Sequence, residues 1–441
     1  MSKLIIRNAL IVNEGKSLRA DILIQNHRIE RIDSSISVNY RVNEINAENY
    51  ITIPGVIDDQ VHFREPGLTH KANIHTESMA AVLGGTTSFM EMPNTNPPAT
   101  TIQKLEEKYQ IGAETSFANY SFFMGTSNDN LEEIKRVNPK DVCGVKIFMG
   151  SSTGDMLVDN EATLRGVFAH SPTLIATHCE VESIILANKE KYKDKTDPRF
   201  HPVIRSREAC ILSSLKAIEL AKEYNSRLHI LHISTAEEVQ LFDNITPLRD
   251  KKITSEACVH HLWFSEEDYD KYGNQIICNP AIKSEADRQA VWAGLLSNNI
   301  DIIATDHAPH TWAEKSGIYP NVPSGVPLVQ HSLLMMLEKV REGVFSIERM
   351  VEKMVHAPAD CFRIENRGFI REGYFADIVL INPNNATIVS KDNIAYKCGW
   401  SPFEGHSFSH SIDYTFVSGI LMQKEGKIIE PPQGLRMSFD R

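Results

Sequence analysis

His62, Lys146, His178, His232 and Asp306 each lie in or directly after a short apolar run rich in β-branched residues. Imidazole and carboxylate side chains are donors suited to zinc or a similar divalent ion. An aspartate among them is also placed to accept and return a proton. Arg64 follows His62 by two residues, and a guanidinium there is a natural clamp for a carboxylate. A single histidine at a strand end is usually a hydrogen-bonded structural residue. Three histidines, a lysine and an aspartate at five strand ends are harder to dismiss, provided one architecture brings those ends together.

The intervening sequence supplies such an architecture. Ile51 to Ile57 reads as a buried strand, followed by Asp58-Asp59-Gln60-Val61-His62 and closed by Pro66-Gly67. Further strands are expected at 86–92, 120–124, 142–149, 173–178, 227–232, 252–257 and 300–306. Helical spacing lies between them, as over 206–224. Eight strands alternating with helices predict a (β/α)8 barrel, whose C-terminal strand ends share one mouth. A doubly wound sheet fits less well, because no Gly-rich phosphate turn follows the first strand. Both chain ends read instead as short strands, such as 4–6, 10–12, 377–381 and 414–417. Neither end can bury a face alone, so the two should pair into a small β-sandwich. The expected division is 1–52 and 367–441 for the sandwich and 53–366 for the catalytic barrel.

The chain has 441 residues, 42% of them apolar, enough for one large and one smaller unit. A net charge of −11 argues against a nucleic-acid binder. No run of eighteen apolar residues is present, so no membrane span is expected. Met1 to Leu4 leads straight into strand-like sequence without a signal-peptide core. Seven cysteines, an odd number without a CxxC pair, suit a reducing cytoplasm. The expected partner is a small-molecule substrate, and the expected assembly a homo-oligomer, a dimer first.

The pattern resembles the dihydroorotases of the amidohydrolase superfamily. The resemblance rests on Pro54 to Gly67, Met92 to Pro97, Gly144-Val145-Lys146, Ala176-Thr177-His178, Leu231 to Ser234, Asn279-Pro280, Ala304 to His310 and Ser401 to Gly405. It implies a zinc enzyme with one or two ions per chain that interconverts dihydroorotate and N-carbamoyl-aspartate in pyrimidine biosynthesis. It also implies metal ligands at His62, Lys146 as its carbamate, His178, His232 and Asp306, with Asp306 catalytic. Arg64, Asn94, Asn279 and His310 would contact substrate. One position departs: the superfamily pattern is His-x-His, and this chain has Gln60-Val61-His62. A neutral amide oxygen is a poor zinc ligand, so a second ion would be held weakly. Strand alternation turns Asp59 away from the site, which leaves it no part as a substitute.

Allantoinases and dihydropyrimidinases or hydantoinases resemble the chain in these ligands but typically lack the arginine of Phe63-Arg64-Glu65-Pro66-Gly67. A non-catalytic homologue that scaffolds a pathway partner is a further alternative, favoured by Gln60 and opposed by the otherwise full ligand set. His260 and His261 read as structural, Cys179 and His307 as pointing away from the mouth, and His70, His75 and His201 as solvated or peripheral. The Pro- and Gly-rich stretch 311–327 reads as a lid or a long surface loop.

Overall fold

A computed structural model describes residues 3–150, 156–158 and 160–441. Eight parallel strands form the barrel: Val56–Val61, Thr86–Glu91, Asn119–Phe122 with Met124–Gly125, Val145–Phe148, Ile175–His178, Leu228–Ile230, Ile253–Cys258 and Ile302–Ala304. The third strand is in two pieces. At Phe123 and Met124 the chain changes partner, from Glu91 O of the second strand to Gly144 O of the fourth. The barrel closes where His62 N donates to His307 O at 2.7 Å, just past the eighth strand. The strands are short and almost entirely buried, as parallel strands covered by helices are. The helix expected over 206–224 is Arg207–Tyr224. The Ser206 side chain accepts from Ala209 N at its start, and left-handed Asn225 ends it.

The run Ile51 to Ile57 is not one strand but two. Ile51–Pro54 pairs in parallel with the N-terminal strand Lys3–Asn13 and antiparallel with Ile378–Asn382, so it stitches the two chain ends together. Val56–Val61 enters the barrel. Gly55 marks the division: a Cβ there would lie 2.1 Å from Thr87 Oγ1, so only glycine lets the chain cross so close to the second barrel strand. The terminal strands form one continuous nine-stranded sheet. It packs Ile6, Ile22, Ile24, Ile29, Ile378, Leu380 and Phe416 into a core separate from that of the barrel. The chain is thus a (β/α)8 barrel with a small β-sandwich built from both ends. Among the described residues no helix is long and apolar enough to cross a membrane.

Candidate functional site

All nine residues expected at the site line a single cavity of about 290 Å³ at the barrel mouth: His62, Arg64, Asn94, Lys146, His178, His232, Asn279, Asp306 and His310. Gln60, Phe148, Arg205 and Ser324 complete much of the wall. Arg64, His232 and Asp306 have φ of 70°, 42° and 47°. Non-glycine residues seldom adopt this left-handed region. Three of them at one mouth show the backbone bent to aim side chains inward as it leaves the strands.

Two places in the cavity crowd metal-type donor atoms together. In the first, Glu180 accepts from His178 Nε2 at 3.0 Å, which leaves Nδ1 with its lone pair. That Nδ1 faces His232 Nε2 at 3.0 Å. Burial pushes both imidazoles below their ordinary pKa, His232 well below, so both are neutral near pH 7. His232 Nδ1 is buried without a hydrogen-bond partner. Burial by itself would raise Glu180, but the Arg205 guanidinium and His178 outweigh it and hold the carboxyl down to about 2.

In the second place, His62 Nδ1 donates to Asn94 Oδ1 at 2.8 Å. The opposite nitrogen, Nε2, then meets Asp306 Oδ1 at 3.2 Å. Burial lowers the pKa of His62, against the pull of Asp306. Asp306 stays below the usual carboxylate range because His62 and the neighbouring histidines overcome the effect of burial. A neutral ring therefore turns its lone pair toward an ionised oxygen. A cation between ring and carboxylate satisfies this second contact, and the 3.0 Å between His178 Nδ1 and His232 Nε2 is close to the about 3.3 Å that separates two nitrogens on one tetrahedral zinc. The donor set thus fits a divalent ion. Lys146, buried beside Phe148, has its pKa lowered by burial to about 7, so much of it is a neutral amine near physiological pH.

On the other wall, Arg64 is buried and makes no ion pair among the described residues. Its Nε donates to Pro309 O at 3.1 Å, and one terminal nitrogen lies 3.0 Å from His310 Nε2. Burial lowers even this guanidinium, to about 10. Glu65 does not reach it and instead accepts from Ile74 N. His310 Nδ1 accepts from Lys71 Nζ at 3.1 Å, and burial with the adjacent cations keeps the ring neutral. The stretch 311–327 forms part of this wall. Lys315 Nζ donates to Ile277 O and Pro323 O, and Gly325 N donates to Ile277 O at 2.8 Å. Gly325, at φ 147°, leaves room for Ala308 O, which a Cβ would meet at 2.2 Å.

The description "Amidohydrolase family" matches residues 51–422. The chain belongs to the amidohydrolase family. Its similarity to named proteins is close to full-length. A dihydroorotase of Methanosarcina acetivorans is 31% identical, over 97% of this chain and 93% of that one. A dihydroorotase of Halobacterium salinarum is 32% identical, over 91% and 92%. An allantoinase of Bacillus velezensis is 29% identical, over 96% and 94%. Among solved structures, the L-hydantoinase (dihydropyrimidinase) from Arthrobacter aurescens superposes with a TM-score of 0.92 at 25% identity, covering 98% of each chain.

Several residues of this amidohydrolase stand differently from their sequence reading. Asp59 does not turn away from the barrel interior. Its Oδ2 lies 3.4 Å from His229 Nε2 of the sixth strand, because the register of the first strand slips between Asp58 and Val61. With Glu256 it forms a sealed cluster one layer below the mouth. Asn94, expected on the substrate, spends its carbonyl oxygen on His62, and Asn279 Oδ1 faces His201 Nε2 at 3.2 Å. His201 is buried beside the site, in keeping with one of its two readings. His307 does point away, to Glu77 Oε2 at 2.9 Å, and Cys179 packs with its thiol on Thr177. His260 and His261 are buried beside Cys258, with three of their four ring nitrogens unpartnered. Glu180 and Arg205 were not foreseen. The only hint was spacing, since Glu180 follows His178 by two.

Proposed function

We propose that this amidohydrolase interconverts dihydroorotate and N-carbamoyl-aspartate, as its similarity to dihydroorotases suggests. One observation carries the choice of substrate: the buried Arg64 has no carboxylate partner among the described residues and faces the cavity beside His310 and Asn94. A buried cation without an anion is costly, and a ring carboxylate would supply one through a charge-assisted bidentate pair. Dihydroorotate carries that carboxylate. Allantoin, hydantoins and dihydropyrimidines do not, and would leave Arg64 unpaired.

His178, His232, His62, Asp306 and Lys146 as its carbamate are the residues that would hold zinc. To form the carbamate, neutral Lys146 Nζ adds to carbon dioxide and releases a proton. The lowered pKa of this buried amine supports that step. Bound there, a divalent ion supplies Lewis acidity and brings the pKa of a water near neutrality. Asp306, the only carboxylate lining the cavity among the described residues, accepts the proton of the attacking water and returns it to the leaving ring nitrogen. Arg64 and the Asn94 amide nitrogen fix the ring so that its scissile carbonyl faces Asp306. Ring closure follows the same path in reverse. Seven free cysteines support a reducing, cytoplasmic setting.

The test is turnover of dihydroorotate by purified protein before and after chelation. Hydrolysis that is lost with the metal and regained with zinc is expected. An unreactive, metal-replete protein would favour the scaffolding alternative.

A further inference from the structure

Gln60 is buried at the cavity wall, and its amide is held by two groups of opposite kind. Its Nε2 faces Asp306 Oδ1 at 3.2 Å, and its Oε1 accepts from Cys258 Sγ at 3.5 Å. A carboxylate accepts only, and a thiol hydrogen needs an acceptor. Turning the amide over would set oxygen against the carboxylate and NH₂ against the S–H, losing both bonds in a buried place. The orientation of an amide is assigned from its partners: Asp306 requires this one, and the Cys258 thiol, which also has Glu256 Oε1 at 3.9 Å, favours it. The Gln60 atom nearest Asp306 is therefore an NH₂, which has no lone pair to give to a cation.

We infer that Gln60, locked by Cys258, is a positioning residue for Asp306 and not a metal ligand, so that the centre holds one tightly bound divalent ion per chain. The inference rests on the metal-dependent reading above. The His178–His232 side has two converging imidazole nitrogens backed by Glu180 and Arg205. Apart from a share of the Lys146 carbamate, common to both sides, the His62 side offers one imidazole and an Asp306 oxygen already shared with the Gln60 N–H. A site with so few protein donors loses its ion readily. Gln60 serves instead to keep Asp306 Oδ1 in line for proton transfer. The Cys258, His260 and His261 cluster adds no further ligand set in this arrangement, because the Cys258 thiol is engaged with Gln60.

The test is metal content per chain after dialysis against a mild chelator, with dihydroorotate kinetics on the same samples, for wild type, Gln60→His and Gln60→Met. Wild type should retain one ion and Gln60→His close to two. Gln60→Met, of similar length but without a donor, should retain one ion. Its kcat, counted per bound ion so that unfolded protein does not enter, should fall about tenfold with KM unchanged. An active wild type that keeps two ions, with neither count nor rate changed in Gln60→His, would overturn the inference and leave the functional reading intact. Unchanged kcat in Gln60→Met would overturn the positioning role. A wild type that binds no ion and turns over no dihydroorotate would overturn both readings.

Discussion

Two clusters of titratable side chains lie one above the other in this barrel, and they differ in completeness. In the lower one, His229 Nε2 lies between Glu256 Oε2 at 3.1 Å and Asp59 Oδ2 at 3.4 Å, and Nδ1 faces Thr254 Oγ1 at 2.8 Å. All are sealed from solvent. The acidic neighbours outweigh burial and raise the His229 pKa well above its usual value. Burial and the adjacent Asp59 raise Glu256 well above its own. Neither Asp59 oxygen has a hydrogen-bond partner, but the raised imidazole stands beside acidic groups, so this cluster carries its own counter-charge. The mouth does not. There the His62 ring faces the Asp306 carboxylate, and Arg64 has no ion pair among the described residues. Proximity of metal-ligating atoms is therefore a weaker sign of a site than an unmet electrostatic demand.

The largest test of this contrast is Lys146→Ala. With the only lysine lining the mouth among the described residues removed, bound metal should drop by at least one equivalent and dihydroorotate turnover by roughly 10³-fold or more, the several kcal/mol that metal catalysis supplies. Small carboxylic acids should restore part of the rate by occupying the place of the carbamate. Full activity in the alanine variant would refute the role.

His229→Leu probes the sealed cluster. Breaking a buried charge pair from one side costs about 3–5 kcal/mol, so the denaturation midpoint should fall markedly. KM and metal content of the folded protein should not move. Altered metal content would mean that the lower cluster takes part in the site after all.

Arg64→Met should lose about 1.5–3 kcal/mol of carboxylate binding. The KM for dihydroorotate should rise roughly ten- to hundredfold, with activity on neutral dihydropyrimidines little changed. An equal loss on both substrates would make Arg64 a structural residue.

The test furthest from the chemistry concerns Asp58, which burial raises to about 7 despite its bonds to Thr305. The folded state then holds a proton that the unfolded chain releases near pH 4. This contribution is fully present below about pH 4 and is lost as pH rises through about 7. Stability should decline by up to about 1.4 kcal/mol per pH unit within that window. Urea midpoints at pH 5 and pH 8 should show the slope, and Asp58→Asn should flatten it.

The barrel was legible in the sequence because ligand-type residues fell at the ends of β-branched runs, and strand ends share a mouth. Alternation failed at Asp59 because a register slip is a property of paired strands and leaves no mark on one strand alone. The division at Gly55 was hidden for a related reason: both halves of 51–57 are apolar, and only the approach of Thr87 tells them apart. Gln60 stood out by type, but the direction of its amide depends on Cys258, nearly 200 residues away. Glu180 and Arg205 act through contacts that spacing does not encode.

The most direct measurement is the kcat/KM of metal-replete wild type on dihydroorotate against dihydrouracil, the same ring without its carboxylate. If the unpaired Arg64 selects substrate, dihydroorotate should be favoured by roughly ten- to hundredfold. Equal or better turnover of dihydrouracil, hydantoin or allantoin would contradict the assignment.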